Sequence, residues 1–164
     1  MEPILKYFVF KLDEQKYALK LKSVEKVIRV VELISVPDSI NYLLGLINVE
    51  GRIIPVFDIR KRFRLHSREI DLEDRIIISP CSTGTIAVIV DEVKGIVDFN
   101  TKDIRQSGEI YPNMDLFIEG VWKSGDETIL IYDVDKLFPL EKNDELKSFI
   151  TSLPEKEKEF DYDK

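Results

Sequence analysis

Residues 17–30, YALKLKSVEKVIRV, can be laid without a gap over residues 86–99, IAVIVDEVKGIVDF. The superposition sets Ala18 on Ala87, Leu19 on Val88, Leu21 on Val90, Val24 on Val93, and Val27-Ile28 on Ile96-Val97. Farther along, LLGLINV (43–49) and RIIPVFDIRKRF (52–63) fall on FIEGVWK (117–123) and ETILIYDVDKLF (127–138), with one or a few residues inserted. Gly45 then meets Gly120, Asp58 meets Asp133, Lys61 meets Lys136 and Phe63 meets Phe138. Val/Ile-rich strands match one another easily by chance, but two separated blocks in the same order at nearly constant spacing read as a duplication. Each copy is a hairpin, a short turn, a connection and a second hairpin ending in one helical turn.

The apolar runs have the length and composition of strands. YFVFKL is followed by the polar turn DEQK and then by YALKL, which alternates as a half-buried hairpin strand should. LLGLINV, RIIIS, TIAVIV, GIVDF and TILIYDV repeat the Val/Ile-rich theme. Pro55 places RIIPVFDI at a sheet edge or a bulge, because proline cannot donate to a central ladder. The expected class is all-β. A unit of about 65 residues has a marginal core alone, so the copies are expected to share buried surface. The reading divides the folded part, residues 1–140, into subdomain 1 at about 17–75 and subdomain 2 at about 76–140 plus the N-terminal strand region. The polar segment 66–75 crosses between them. Leu146, Phe149, Ile150 and Leu153 at broadly helical spacing predict a short amphipathic helix over 141–153, and the charged 154–164 is expected to be a flexible tail.

Composition narrows the function. The chain has 164 residues, 44% hydrophobic and 34% charged, with a net charge of −7. That is a globular mixture, and its sign repels a phosphate backbone. A nucleic-acid module would have to use Arg52, Arg60, Lys61, Arg62 and Arg64, yet the second copy reads DVDKLF where the first reads DIRKRF, so the basic charge is not part of the repeat. No nucleic-acid partner is expected. The single Cys81 cannot form an internal disulfide, no basic-then-apolar leader opens the chain, and no apolar run approaches the roughly 20 residues that span a bilayer. A cytoplasmic protein without membrane insertion is expected.

Catalysis needs polar groups that converge, and the sequence offers no such set. His66, the only histidine, stands in a polar stretch as a solvated residue, and Cys81 follows Pro80 in a turn with no histidine placed to activate it. One His and one Cys exclude a zinc site, and the seven glycines are scattered singly rather than grouped around a phosphate. No catalytic residue, metal or cofactor is expected. Asp58 and Asp133, equivalent in the repeat, are read as caps of the helical turns that follow them. Ile59 and Phe63, four apart, would face the core and leave Arg60, Lys61 and Arg62 outside. A compact double β-unit with strand edges and no reaction centre most naturally binds proteins.

The path from YFVFKLDEQKYALKLKSVEKVI through INVEGRIIPVFDIRKRF and IAVIVDEVKGIVDF to GVWKSGDETILIYDVDKLF resembles the CheW family of chemotaxis adaptors, over about residues 5–140. The best local match is INVEGRIIPVFDIRKRF, against a family pattern of an apolar residue, Asn-Leu-Arg-Gly, a strand containing proline, and Asp-Leu-Arg. The resemblance implies two intertwined five-stranded SH3-like barrels sharing a core, with a short C-terminal helix. It implies a non-catalytic signal-transduction adaptor that couples the hairpin tip of methyl-accepting chemoreceptors to the CheW-like regulatory domain of the chemotaxis histidine kinase. An adaptor of a non-motility chemosensory pathway is the alternative within the family. A receptor groove is implied at Val24, Lys26, Val27, Glu50 and Gly51, and kinase docking at barrel-end turns around Gly45, Ala87 and Gly120. Two departures stand out. Family members carry Val-x-Glu where this chain has Val24-Glu25-Lys26, and Asn-Leu-Arg-Gly where it has Asn48-Val49-Glu50-Gly51. Lys26 and Glu50 therefore exchange signs and are expected to form a swapped pair, although Glu25 is also available beside Lys26.

Overall fold

The computed structural model describes residues 3–37, 42–82, 84–106 and 118–137. The expected helix over 141–153 and tail over 154–164 lie outside them. The strands are β1 (Ile4–Leu12), β2 (Gln15–Lys20), β3 (Lys26–Arg29), β4 (Leu43–Val49), β5 (Arg52–Phe57), β6 (Arg75–Cys81), β7 (Gly84–Val90), β8 (Glu92–Asn100), β9 (Ile104–Gln106), β10 (Ile118–Ser124) and β11 (Glu127–Tyr132). One-turn helices α1 (Ile59–Arg62) and α2 (Val134–Leu137) follow β5 and β11. Each stands behind an aspartate: the Asp58 carboxylate accepts the Lys61 N–H at 3.1 Å, and that of Asp133 accepts the Asp135 N–H at 3.0 Å. The equivalent aspartates therefore do the equivalent capping.

The strands form two sheets, ordered β8-β1-β2-β11-β10-β9 and β3-β6-β7-β5-β4. Substituting each strand by its repeat equivalent turns the first five strands of one order into the other. The sixth, β9, pairs with β10, and its counterpart in the smaller sheet is the single bridge between Ile34 and Leu46. Among the described residues one sheet thus has six strands and the other the expected five.

Grouped by sheet, the chain divides differently from the segments expected above: β6 and β7 sit with β3, β4 and β5, while β2 sits with the C-terminal strands. Each copy lends its first hairpin to the other copy's sheet, through the parallel pairs β2–β11 and β5–β7. A repeat alignment locates equivalent strands but carries no information about which copy each one pairs with. β5 is not an edge strand, but its ladder with β4 does carry a bulge, at Leu44 opposite the step from Val56 to Phe57 beside Pro55. Pro55 is tolerated because the parallel ladder to β7 involves only Val56 and Phe57, so no bond to β7 is lost at position 55.

Burial follows the duplication. One barrel is filled by Tyr7, Val9, Ala18, Ile129 and Ile131, and the other by their counterparts Ile76, Ile78, Ala87, Ile54 and Val56. A third, larger cluster lies between the sheets and draws on both, including Phe8, Phe10 and Leu19 from one and Phe57, Ile77 and Val88 from the other. This is the shared core that the small size of each unit demanded.

Gly45 and Gly120 open equivalent strands at equivalent bulges. A Cβ at Gly45 would stand 2.7 Å from the Ile34 carbonyl oxygen, and one at Gly120 would stand 2.9 Å from that of Arg105. Backbone cannot yield as a flexible side chain can. Gly45→Ala is therefore expected to cost about 1–3 kcal/mol by overpacking, and Gly120→Ala a similar amount. Urea denaturation measures it; an unchanged midpoint would mean that the neighbouring strand moves aside freely.

Candidate functional site

The β4–β5 hairpin closes through Glu50 and Gly51, whose φ angles are +52° and +84°. Val49 stands opposite Arg52, so the loop has two residues with both φ positive, the turn whose twist matches that of flanking strands. The Asn48 side chain accepts the Gly51 N–H at 3.0 Å. The turn carries Glu50 outward, with its side chain 80% exposed.

Across from it, Lys26 Nζ lies 3.4 Å from Glu50 Oε2. Lys26 and Glu50 do face each other. Glu25 is engaged elsewhere: its Oε2 accepts from Arg52 NH1 at 2.6 Å, and Arg52 NH2 donates to Thr85 Oγ1 at 3.0 Å. Four charges, two of each sign, join the start of β3 to the turn between β4 and β5. Because β3 and β4 are opposite edges of their sheet, these contacts also report that the sheet has curled into a barrel. Val24 and Val27, beside the quartet in sequence, are half-buried against the shared core. The site thus combines a charged rim with apolar side chains at the junction of the sheets.

The other three expected residues are placed differently. Ala87 lies in the middle of β7, paired with Ile78 and Val56 and fully buried, so it is neither in a turn nor available to a partner. Gly45 and Gly120 are buried in strands rather than in barrel-end turns. Their role is the close backbone approach described above. Gly120 additionally lines a cavity of about 210 Å³ with Tyr7, Lys20, Ile104 and Ile131.

Of the basic cluster Lys61 is exposed as expected, but Arg60 and Arg62 turn inward. Arg60 is buried, donating to Asp13 at 3.0 Å, to Asp91 at 2.5 Å and to the His66 carbonyl at 3.3 Å. Arg68 bridges Asp74 and Asp91 at 2.5 and 2.6 Å. The Arg62 Nε donates to the Leu137 carbonyl, and its guanidinium lies over the Tyr42 ring. Burial opposes the charge on Arg60, but its hydrogen bonds to Asp91 and Asp13 outweigh that cost and hold its pKa above the ordinary arginine range. Burial likewise works against the Asp91 carboxylate, and the bonds from Arg60, the Asp13 N–H and Arg68 overcome it, so its pKa is lowered. Arg52, Arg60 and Arg62 are occupied internally, which leaves Lys61 and Arg64 as the exposed cations of the five that a nucleic-acid reading would need.

Sequence reasoning missed this network because its members are far apart along the chain. One signal existed: the first repeat block, extended back, sets Asp13 on Ser82, the second sets Arg60 on Asp135, and Asp135 accepts the Ser82 N–H at 2.8 Å. The same contact between helical turn and hairpin turn is made twice, once as an ion pair.

The CheW-like domain family matches residues 6–142 of the chain. This chain belongs to that family. A crystal structure of the scaffolding protein TtCheW from Thermoanaerobacter tengcongensis superposes with a TM-score of 0.73 at 31% identity, covering 84% of this chain and 93% of that one. The chemotaxis protein CheW of Bacillus subtilis is 29% identical over 139 residues, 84% of this chain and 89% of its own length. That of Thermotoga maritima is 28% identical over 130 residues, 78% and 83% respectively. The paired curled sheets are accordingly the SH3-like barrels of a CheW-like domain, and the protein is a chemotaxis signal-transduction adaptor. Among the described residues, no helix of this CheW-like domain is long and apolar enough to cross a membrane.

Proposed function

We propose that this CheW-like protein, without catalysis of its own, couples the hairpin tip of a methyl-accepting chemoreceptor to the regulatory domain of the chemotaxis histidine kinase in the cytoplasm. The receptor would contact Val24, Lys26, Val27, Glu50 and Gly51, and the kinase would use barrel ends. The observation that carries the reading is the Lys26–Glu50 contact: an exposed charge fixed by a rigid turn, beside apolar side chains at the junction of the sheets. An exposed pair of this kind contributes only about 0.2–1 kcal/mol to folding, so orientation and partner choice are the roles left to it. Glu25, next to Lys26, and Arg52, two residues from Glu50, neutralise each other, which makes the exchanged pair a local pattern that a complementary tip can match.

Restoring the family signs with Lys26→Glu and Glu50→Arg together should weaken binding of the cognate receptor tip about tenfold, or 1.4 kcal/mol, with the effect shrinking as salt rises. Titration calorimetry at low and moderate ionic strength reads this, and unchanged affinity at both would sink the assignment of the groove. The coupling role has its own test. A pull-down from the host lysate should recover a chemotaxis-type histidine kinase, and its consistent absence would count against the reading.

A further inference from the structure

β8 is the outer strand of the six-stranded sheet. It pairs with β1 along one side at Glu92 and Val93 and again from Gly95 to Asn100, with a bulge at Lys94, and among the described residues nothing pairs with its other side. Most of its residues are exposed, with Ile96 at 59% and Val97 at 37%. A long, open edge of this kind is a template for another strand. β3, its repeat equivalent, has four residues to its nine and offers no comparable edge.

The charges on β8 identify the strand that fits. Laid antiparallel on itself about Ile96, the sequence EVKGIVDFN sets Lys94 opposite Asp98 twice, Gly95 opposite Val97 twice, and Ile96 opposite its own copy. A centre at Val97 brings no like charges together but forms no ion pair within the strand, since it sets Lys94 opposite Asn100 and Ile96 opposite Asp98, and other neighbouring registers are worse. A centre at Gly95 faces Glu92 with Asp98, a centre at Lys94 faces two lysines, and a centre at Asp98 faces two aspartates. Like charges directly opposite destabilise a strand pair, and opposite charges stabilise it. Within one copy, Lys94 lies 2.8 Å from Glu92, and Asp98 lies 3.0 Å from Lys6 on β1, all partly or largely exposed. Across the Ile96 dyad these ion pairs line up as Glu92, Lys94, then Asp98 and Lys6 of the second copy, alternating in sign throughout.

We propose that two copies of this chain associate through β8, antiparallel about Ile96, joining their six-stranded sheets edge to edge. The surface does not involve Lys26 or Glu50, so it stands independently of the receptor assignment.

Sedimentation equilibrium of the full chain at low salt, from about 10 μM to about 1 mM, should show a monomer–dimer equilibrium. Lys94→Glu alone and Asp98→Lys alone each set like charges face to face and should raise the dissociation constant about tenfold or more. The double variant, Lys94→Glu with Asp98→Lys, recreates opposite pairs and should return to within about threefold of the original. All three change exposed side chains, and far-UV circular dichroism checks that they fold. A chain that stays monomeric throughout overturns the proposal. So does a double variant no better than the single ones, since association would then use another surface.

Discussion

Replacing Arg60 by alanine is expected to cost the fold about 3–5 kcal/mol, the range for removing one member of a buried ion pair. The side chain is 9% exposed and holds Asp13 in the first hairpin turn and Asp91 between β7 and β8. Without it, Asp91 keeps its burial and loses a principal donor, while the Arg68 bond remains. The loss should be smaller when Asp91→Asn is added, because the carboxylate left without its main partner is then gone.

The pH dependence follows from the same group. Asp91 has a folded pKa below its ordinary 3.8, so its contribution is complete above that value and is lost as pH falls through the folded pKa. Stability of the unmodified chain should therefore fall on acidification below about pH 4. Arg60→Ala should show a shallower fall, having already lost most of that contribution. Urea titrations between pH 7 and pH 3 read both effects. A loss under about 1 kcal/mol at pH 7 would mean that Arg68 alone can hold the network.

Phe57→Ala should cost a similar 3–5 kcal/mol, as expected for emptying a fully buried aromatic site, and its reach is more telling than its size. Phe57 belongs to the five-stranded sheet, whereas Trp122, the only tryptophan, packs against Phe99 in the six-stranded barrel. If the exchanged hairpins and the common core make one cooperative unit, the Trp122 fluorescence transition should move to lower urea together with the circular dichroism transition. A Trp122 midpoint that stayed in place while circular dichroism split into two steps would show that the barrels unfold independently.

Much of the architecture was legible because its causes are local or repeated. Strand runs are visible in Val/Ile content and alternation, and Asp58 and Asp133 could be read as caps because a cap needs only its own neighbours in sequence. The Lys26–Glu50 contact was also legible, since two departures of opposite sign from one family pattern point at each other. The edge placement of Pro55 and the placements of Arg60 and Ala87 were wrong, each for a tertiary reason. Pro55 sits where one ladder of an interior strand has stopped, and Arg60 leaves the surface because two aspartates distant in the chain converge on it. Ala87 is small because it packs inside a barrel, not because it closes a turn.

By itself the sequence determined an all-β chain built as two copies of one small unit, too small to stand alone. Those properties are carried by residue type and spacing, which survive whatever the chain does in space. Only the tertiary structure decided that each copy gives its first hairpin to the other's sheet, that among the described residues one sheet has a sixth strand, and that Arg60 of the basic turn is an internal anchor. Pairing between distant strands and burial of a charge depend on which surfaces meet, and equivalent strands in a duplicated chain are equally good partners until the shared core selects among them.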